Sequence, residues 1–285
     1  MSTQITAAFV NQFSSNVSML SQQMGSLLRG AVDTESVTGE KAFFDQIGES
    51  AAIARTSRHG DTPLVETPHS RRMVTLTTYE WADLIDDSDK VRMLIDPTSS
   101  YARAAAAAMG RAMDDTIITA LGGAAKTGKE GTTSTAFPSG QKIAHGSAGL
   151  TVAKLVSAKK LLDAQSVDPS IPRYIVVSPE QIEDLLNTTS VTSSDFNTVK
   201  ALVQGDVDTF VGFKFITSNR LNDDGTSRLC YAWAQDGCKL AVGKDVMARI
   251  DERSDKSYST QVFYCATFGS TRMEEDKVVE IACNE

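Results

Sequence analysis

The chain has 285 residues, 41% of them hydrophobic and 22% charged, with a formal net charge of −8. That is enough apolar sequence for a substantial core and excludes wholesale disorder. An acidic chain lacks the clustered Lys and Arg that wrapping nucleic acid requires, and no apolar run approaches the ~20 residues that span a bilayer.

The opening MSTQITAAFVNQF has neither the basic region nor the continuous apolar stretch of a secretory signal. Residues 1–30 place Phe9, Phe13, Val17, Leu20, Met24 and Leu27 at spacings of three and four, a narrow apolar stripe on a polar helix. Polar residues follow it (GAVDTESVTGE), so it reads either as a helix on its own core or as an arm that docks on another surface. Residues 41–78 read as extended, a long hairpin interrupted by RHGDTPLVETPHS with its two prolines and glycine. The run YEWADLIDDSDKVRMLIDP reads as a short helical region carrying Asp83, Asp86, Asp87 and Asp89. Those carboxylates lack the glycine-punctuated order of a calcium loop and suit a solvated or inter-chain ion-pairing face.

A long helix is predicted over 97–121, about 36 Å at 1.5 Å per residue. Asp96 serves as N-cap, Pro97 opens the first turn and Gly122-Gly123 stop it. Its stripe is Tyr101, Ala105, Ala108, Met109, Ala112, Met113, Ile117, Ala120 and Leu121. Directly after it, Gly123, Gly128 and Lys129 reproduce most of a phosphate-binding P-loop. That loop needs a strand before it, a helix after it, and a Ser or Thr following the lysine. Here a helix precedes, loop or strand follows, and Glu130 takes the hydroxyl's place, so the match is a decoy.

Further on, TVAKLVSAKKLLDAQ (151–165) reads as an amphipathic helix with Val152, Leu155, Val156, Lys159 and Leu162 on or near one face. PRYIVVS reads as a short buried strand, and Pro179 opens the helix EQIEDLL. From 207 on, strand-like runs dominate, including KLAVG, VMARIDE and YSTQVFYCATFGSTRM. The whole reads as α+β with long antiparallel strands toward its end. Cys230, Cys238, Cys265 and Cys283 show no C-x-x-C spacing and read as reduced thiols of a cytoplasmic protein. His59, His69 and His145 stand in no metal or triad pattern. HGSAG at 145–149 lacks the first glycine of a nucleophile elbow. No catalytic, cofactor or metal residue is assigned.

Two stretches carry a family resemblance. Residues 59–132 contain DTPL, TPHSRR, WADLIDD, LIDPTSSYA, AAAMGRAMDD and GGAAKTG, and residues 155–186 continue with LVSAKKLLDAQSVDPSIPRYIVVSPEQIEDLL. Both are similar to the major capsid proteins of tailed bacteriophages. The resemblance implies the Hong Kong-phage capsid fold, with 1–38 as an N-terminal arm and 39–80 as an extended loop. Residues 81–149 and 241–285 would form a peripheral domain with 97–121 as its spine helix, and 150–240 an axial domain. It implies a virion protein without enzymatic activity, assembled in the host cytoplasm as pentamers and hexamers. These would close into an icosahedral head that encloses double-stranded DNA without sequence-specific binding. Its partners would be further copies of itself, a portal, a separate scaffolding protein and, optionally, a decoration protein, with no membrane contact. Phe9, Phe13, Leu20, Leu27, Arg58, His59, Arg71, Arg72, Asp83, Asp86 and Asp87 are the expected inter-subunit contacts, with the loop arginines facing a neighbour's acidic run.

Two features depart from the family pattern. No lysine lies between Lys41 and Lys90, so a covalent crosslink through the loop is not expected. The short segment ahead of the loop favours a separate scaffolding protein over a built-in one. The rivals are an encapsulin-like cellular compartment of the same fold and, on Gly123, Gly128 and Lys129 alone, a nucleotide hydrolase.

Overall fold

In the computed structural model, residues 22–58, 60–86, 98–187 and 209–285 are described. Contacts divide the chain into two units. Of the described residues, one holds 22–26, 78–86, 98–112 and 244–267; the other holds 27–58, 60–77, 113–187, 209–243 and 268–285.

The larger unit is built on a six-stranded sheet, ordered β7-β14-β11-β8-β10-β9. At its centre β8 (Arg173–Val177) pairs parallel with β10 (Phe213–Thr217) and antiparallel with β11 (Ser227–Ala234). β11 continues antiparallel to β14 (Val278–Asn284), which pairs parallel with β7 (Lys142–Ile143). β9 (Thr209–Phe210) closes the far edge in a tight hairpin with β10. Ile175, Val176 and Val177 in succession are fully buried, the mark of a strand covered on both faces. Helix α2 (Val152–Ala164) begins at Thr151, whose hydroxyl accepts the Lys154 amide at 3.3 Å. It buries Leu155, Ala158 and Leu162, while Val156 is 53% exposed. The inward face therefore runs through Ala158 and not through the expected Val156. Helix α3 (Pro179–Asn187) opens on proline, as read from sequence. The boundaries expected at 150 and 240 cut through this sheet, because β7 and β14 lie outside them.

A second sheet in this unit is ordered β2-β3-β5-β6. β2 (Lys41–Ile47) and β3 (His69–Thr75) pair antiparallel from Lys41↔Thr75 to Ile47↔His69. The Gly48 amide extends the ladder to the Pro68 carbonyl at 2.8 Å. Beyond it the described residues to 68 form neither helix nor strand. β5 (Ala125–Thr127) and β6 (Thr133–Thr135) form a hairpin against β3, turning through Gly128 and Gly131 at φ +91° and +67°. Phe44, Val74, Leu76, Ala241 and Met273 make the core beneath. β1 (Asp33–Ser36) lies parallel to the start of β12 (Cys238–Arg253). KLAVG and VMARIDE, read as two strands, belong to this single one.

In the smaller unit, β4 (Thr77–Ile85) and the distal parts of β12 and β13 (Ser259–Arg272) are neighbours in the sheet ordered β1-β12-β13-β4. The expected helix over Tyr79–Ile85 is therefore corrected to strand. Tyr79, Trp81, Asp83 and Ile85 are the more buried residues and alternate with exposed ones, a two-residue period. Residues 87–97 lie outside the description, and with them the Asp96 and Pro97 cap.

Helix α1 (Thr98–Gly122) passes through both units. In the smaller one it buries Ala105, Ala107 and Met109. There Gly110 meets Gly25 so closely that a Cβ would sit 2.3 Å from the Gly25 carbonyl carbon. In the larger unit it buries Met113, Ile117, Ile118 and Leu121. Gly122 is still helical and its φ is not positive. It is required for a different reason than a left-handed cap: a Cβ there would lie 2.2 Å from the Tyr231 hydroxyl.

Candidate inter-subunit interface

The strands β2 and β3 are joined by the long connection from Gly48 to Pro68, whose described residues are all exposed. Along it Ile53 is 57% exposed and Leu64 94%, and Ile47 at its base is 72% exposed. Apolar side chains on a connection that is neither helix nor strand have no local structure to cover them, and burying them elsewhere is favourable. Arg58 is exposed on this connection, and His59 lies outside the described residues.

The β2–β3 pair at the base of this connection is anchored by charge. Arg71 on β3 forms a two-pronged pair with Asp45 on β2, Nε to Oδ1 at 2.5 Å and Nη2 to Oδ2 at 3.1 Å. This hydrogen bond from Arg71 holds the Asp45 carboxyl below its ordinary value. Arg72, one residue on, points the other way, as alternation requires. It is buried and donates to the Met273 carbonyl at 2.7 Å and to Glu275 Oε2 at 2.5 Å. Glu275 also faces Arg272, at 3.6 Å. Arg272 is fully buried and donates to the carbonyls of Leu121 (2.9 Å) and Gly123 (2.6 Å) at the end of α1. Those are the orphan acceptors and the negative pole of the helix. Its guanidinium also stacks 4.8 Å from the Phe137 ring. Burial pulls Arg272 below its ordinary pKa; Glu275 opposes that and Arg72 adds to it. One carboxylate thus links the return strand of the loop to the C-terminal end of α1.

Arg72 faces Glu275 of its own chain, and the alternation that turns Arg71 outward turns Arg72 inward. Arg71 is already paired with Asp45. Asp83 is half-buried on β4 and accepts the Leu84 amide, Asp86 is exposed, and Asp87 lies outside the described residues. Of the arm stripe, Phe9, Phe13 and Leu20 also lie outside the description. In the smaller unit, Arg111 Nη1 on α1 holds Gln22 Oε1 at 3.0 Å and the Gln23 carbonyl at 3.2 Å. In the larger unit the Leu27 and Leu28 amides both donate to the buried Asp114 carboxylate, at 3.0 and 3.1 Å. Leu28 is fully buried while the Leu27 side chain is 42% exposed. Residues 27–36 thus pack within their own unit. Sequence reasoning missed Asp114, Arg272 and Glu275, because their partners are distant in sequence.

The apparent P-loop sits at the β5–β6 turn, with α1 before it and a hairpin after it. Gly128 and Gly131 supply left-handed turn positions, and Lys129 is exposed. The order of elements is the reverse of a phosphate loop.

A family model described as phage capsid protein matches residues 5–285. The chain belongs to the phage capsid protein family. Solved capsids show the same fold at low identity. The capsid structure of cyanophage P-SCSP1u has 15% identity and a TM-score of 0.76, covering 100% of this chain and 96% of that one. The capsid of Ralstonia phage GP4 has 12% identity and a TM-score of 0.73, covering 97% and 95%. The cyanophage Pam1 capsid has 15% identity and a TM-score of 0.72, covering 98% and 97%. No curated protein matches. The chain is a phage capsid subunit that self-assembles into the virion shell, and the encapsulin alternative is not favoured.

Proposed function

We propose that this subunit forms pentamers and hexamers that close an icosahedral head around double-stranded DNA, with residues 48–68 laid across a neighbouring copy. The observation that carries this is the uncovered connection: Ile53, Leu64 and Val65 are exposed on it, and Ile47 is exposed at its base. Fully burying such a side chain contributes about 1.5–3 kcal/mol before ordering costs. Arg58 on the same segment adds a positive charge that suits a neighbour's acidic run at Asp83, Asp86 and Asp87; an exposed pair is worth at most about 1 kcal/mol. The activity is association, and no catalytic role is assigned. The N-terminal stripe from Phe9 to Leu27 supplies a second contact between subunits. Residues 150–240, together with β7 and β14, form the axial domain, and α1 is the spine of the peripheral one. A portal, a separate scaffolding protein and an optional decoration protein complete the head, which assembles in the host cytoplasm. The negative chain encloses DNA without gripping it. Replacing Arg58 to Pro68 by a short Gly-Ser turn should leave a folded subunit that closes no shells. Normal particles from that variant would refute the interlocking role.

A further inference from the structure

We infer that the larger unit carries a cleft for a compact polyvalent oxyanion, lined by Lys159, Arg173 and Lys214. The cleft encloses about 660 Å³ between the end of α2, the loop 166–172 and the β9–β10 turn. Four charged side chains line it. Arg173 and Asp163 neutralise each other, Nη1 to Oδ1 at 2.7 Å. Lys159 and Lys214 remain as exposed ammonium groups on two different elements, with Lys214 seated 5.7 Å from the Tyr174 ring centroid. The lining therefore carries a surplus of two positive charges, on a chain whose net charge is −8.

A second observation points to the same ligand chemistry. Arg173 is only 6% exposed; its Nη2 donates to the Val167 carbonyl at 3.1 Å, and its Nε–H has no partner. A buried donor left without an acceptor is costly, and this one belongs to a residue of the cleft wall. The rim is also strained. Ser166 and Val211 adopt φ of +56° and +53°; for the β-branched Val211 this is a region such residues avoid, and such strain clusters at ligand clamps. Beside Val211, Gly212 takes the left-handed turn position at φ +86° and lies next to the Lys159 ammonium. Two exposed cations beside a buried arginine at a cleft of this size match an anion with several oxygens, either a short phosphate chain or clustered carboxylates. Lysines act here as point charges.

The test titrates the purified full chain with inorganic tripolyphosphate and with citrate at low salt, by calorimetry and phosphorus NMR line-broadening. Saturable binding of either is expected, and the preferred one names the oxyanion class. The variant Lys159→Glu/Lys214→Glu should weaken it by at least about tenfold with an unchanged melting temperature, and so should Lys159→Gln/Lys214→Gln, which keeps no charge of either sign. Added salt should weaken it too. No saturable binding of either anion below about 10 mM would overturn the assignment, as would binding that both variants retain.

Discussion

Glu275→Gln tests the link between the loop and the end of α1. The substitution keeps the shape and removes the one carboxylate shared by Arg72 and Arg272. Arg72 is 7% exposed and Arg272 fully buried, so both guanidiniums would keep their charge with only carbonyl partners. Breaking a buried pair by removing one partner costs about 3–5 kcal/mol. The Glu275 side chain is 20% exposed, which places the expected loss at the low end, about 3 kcal/mol. For a chain of this size that corresponds to a melting temperature lower by about 6–12 °C. Urea unfolding of the unassembled subunit, followed by circular dichroism, should show the loss as a lower midpoint with unchanged slope. Adding Arg72→Met to Glu275→Gln should recover part of it, because one unpaired charge then leaves the core. A midpoint within error of wild type for Glu275→Gln would refute the reasoning, and so would a double variant whose losses simply add.

Three further outcomes follow from the structure. Glu285 accepts hydrogen bonds from Arg228, Gln181 and Ser178, and the Arg228 bond foremost holds its pKa below the ordinary 4.5. Its stabilisation is therefore present above pH 4.5 and lost as pH falls through the lower folded value. The melting temperatures of wild type and Glu285→Gln should differ at pH 7 and converge in acid; a pH-independent gap would contradict this. Gly110→Ala gains about 1 kcal/mol of helix propensity but drives a methyl into the Gly25 backbone. Limited proteolysis should therefore cut faster near Gly25 than in wild type, and unchanged cleavage would count against the contact. Particles boiled in detergent without reductant should run as monomers near 30.6 kDa, since the four cysteines are free and buried and no loop lysine lies between Lys41 and Lys90. A ladder of pentamers and hexamers would show a covalent bond that this account lacks.

Much of the architecture was legible because local signals agreed with it. The apolar spacing ending at Gly122 marked α1, Pro179 marked α3, and RYIVV marked a doubly covered strand. β4 was misread because a two-residue period over Tyr79–Ile85 runs into an acidic segment that resembles a solvated helix face. The decoy at Gly123–Lys129 could be dismissed from the elements around it. Arg72 could not be placed, since its partner Glu275 is 203 residues away and nothing local distinguishes it from Arg71. Likewise Asp114 looks like any polar residue in the helix until Leu27 and Leu28 bring their amides to it.

The central claim is that subunits interlock through residues 48–68, and cryo-electron microscopy of assembled heads tests it most directly. The account predicts pentamers and hexamers in which Ile53, Leu64 and Val65 of each copy are covered by an adjacent copy. A closed shell in which that segment stays exposed, or folds back on its own subunit, would contradict it.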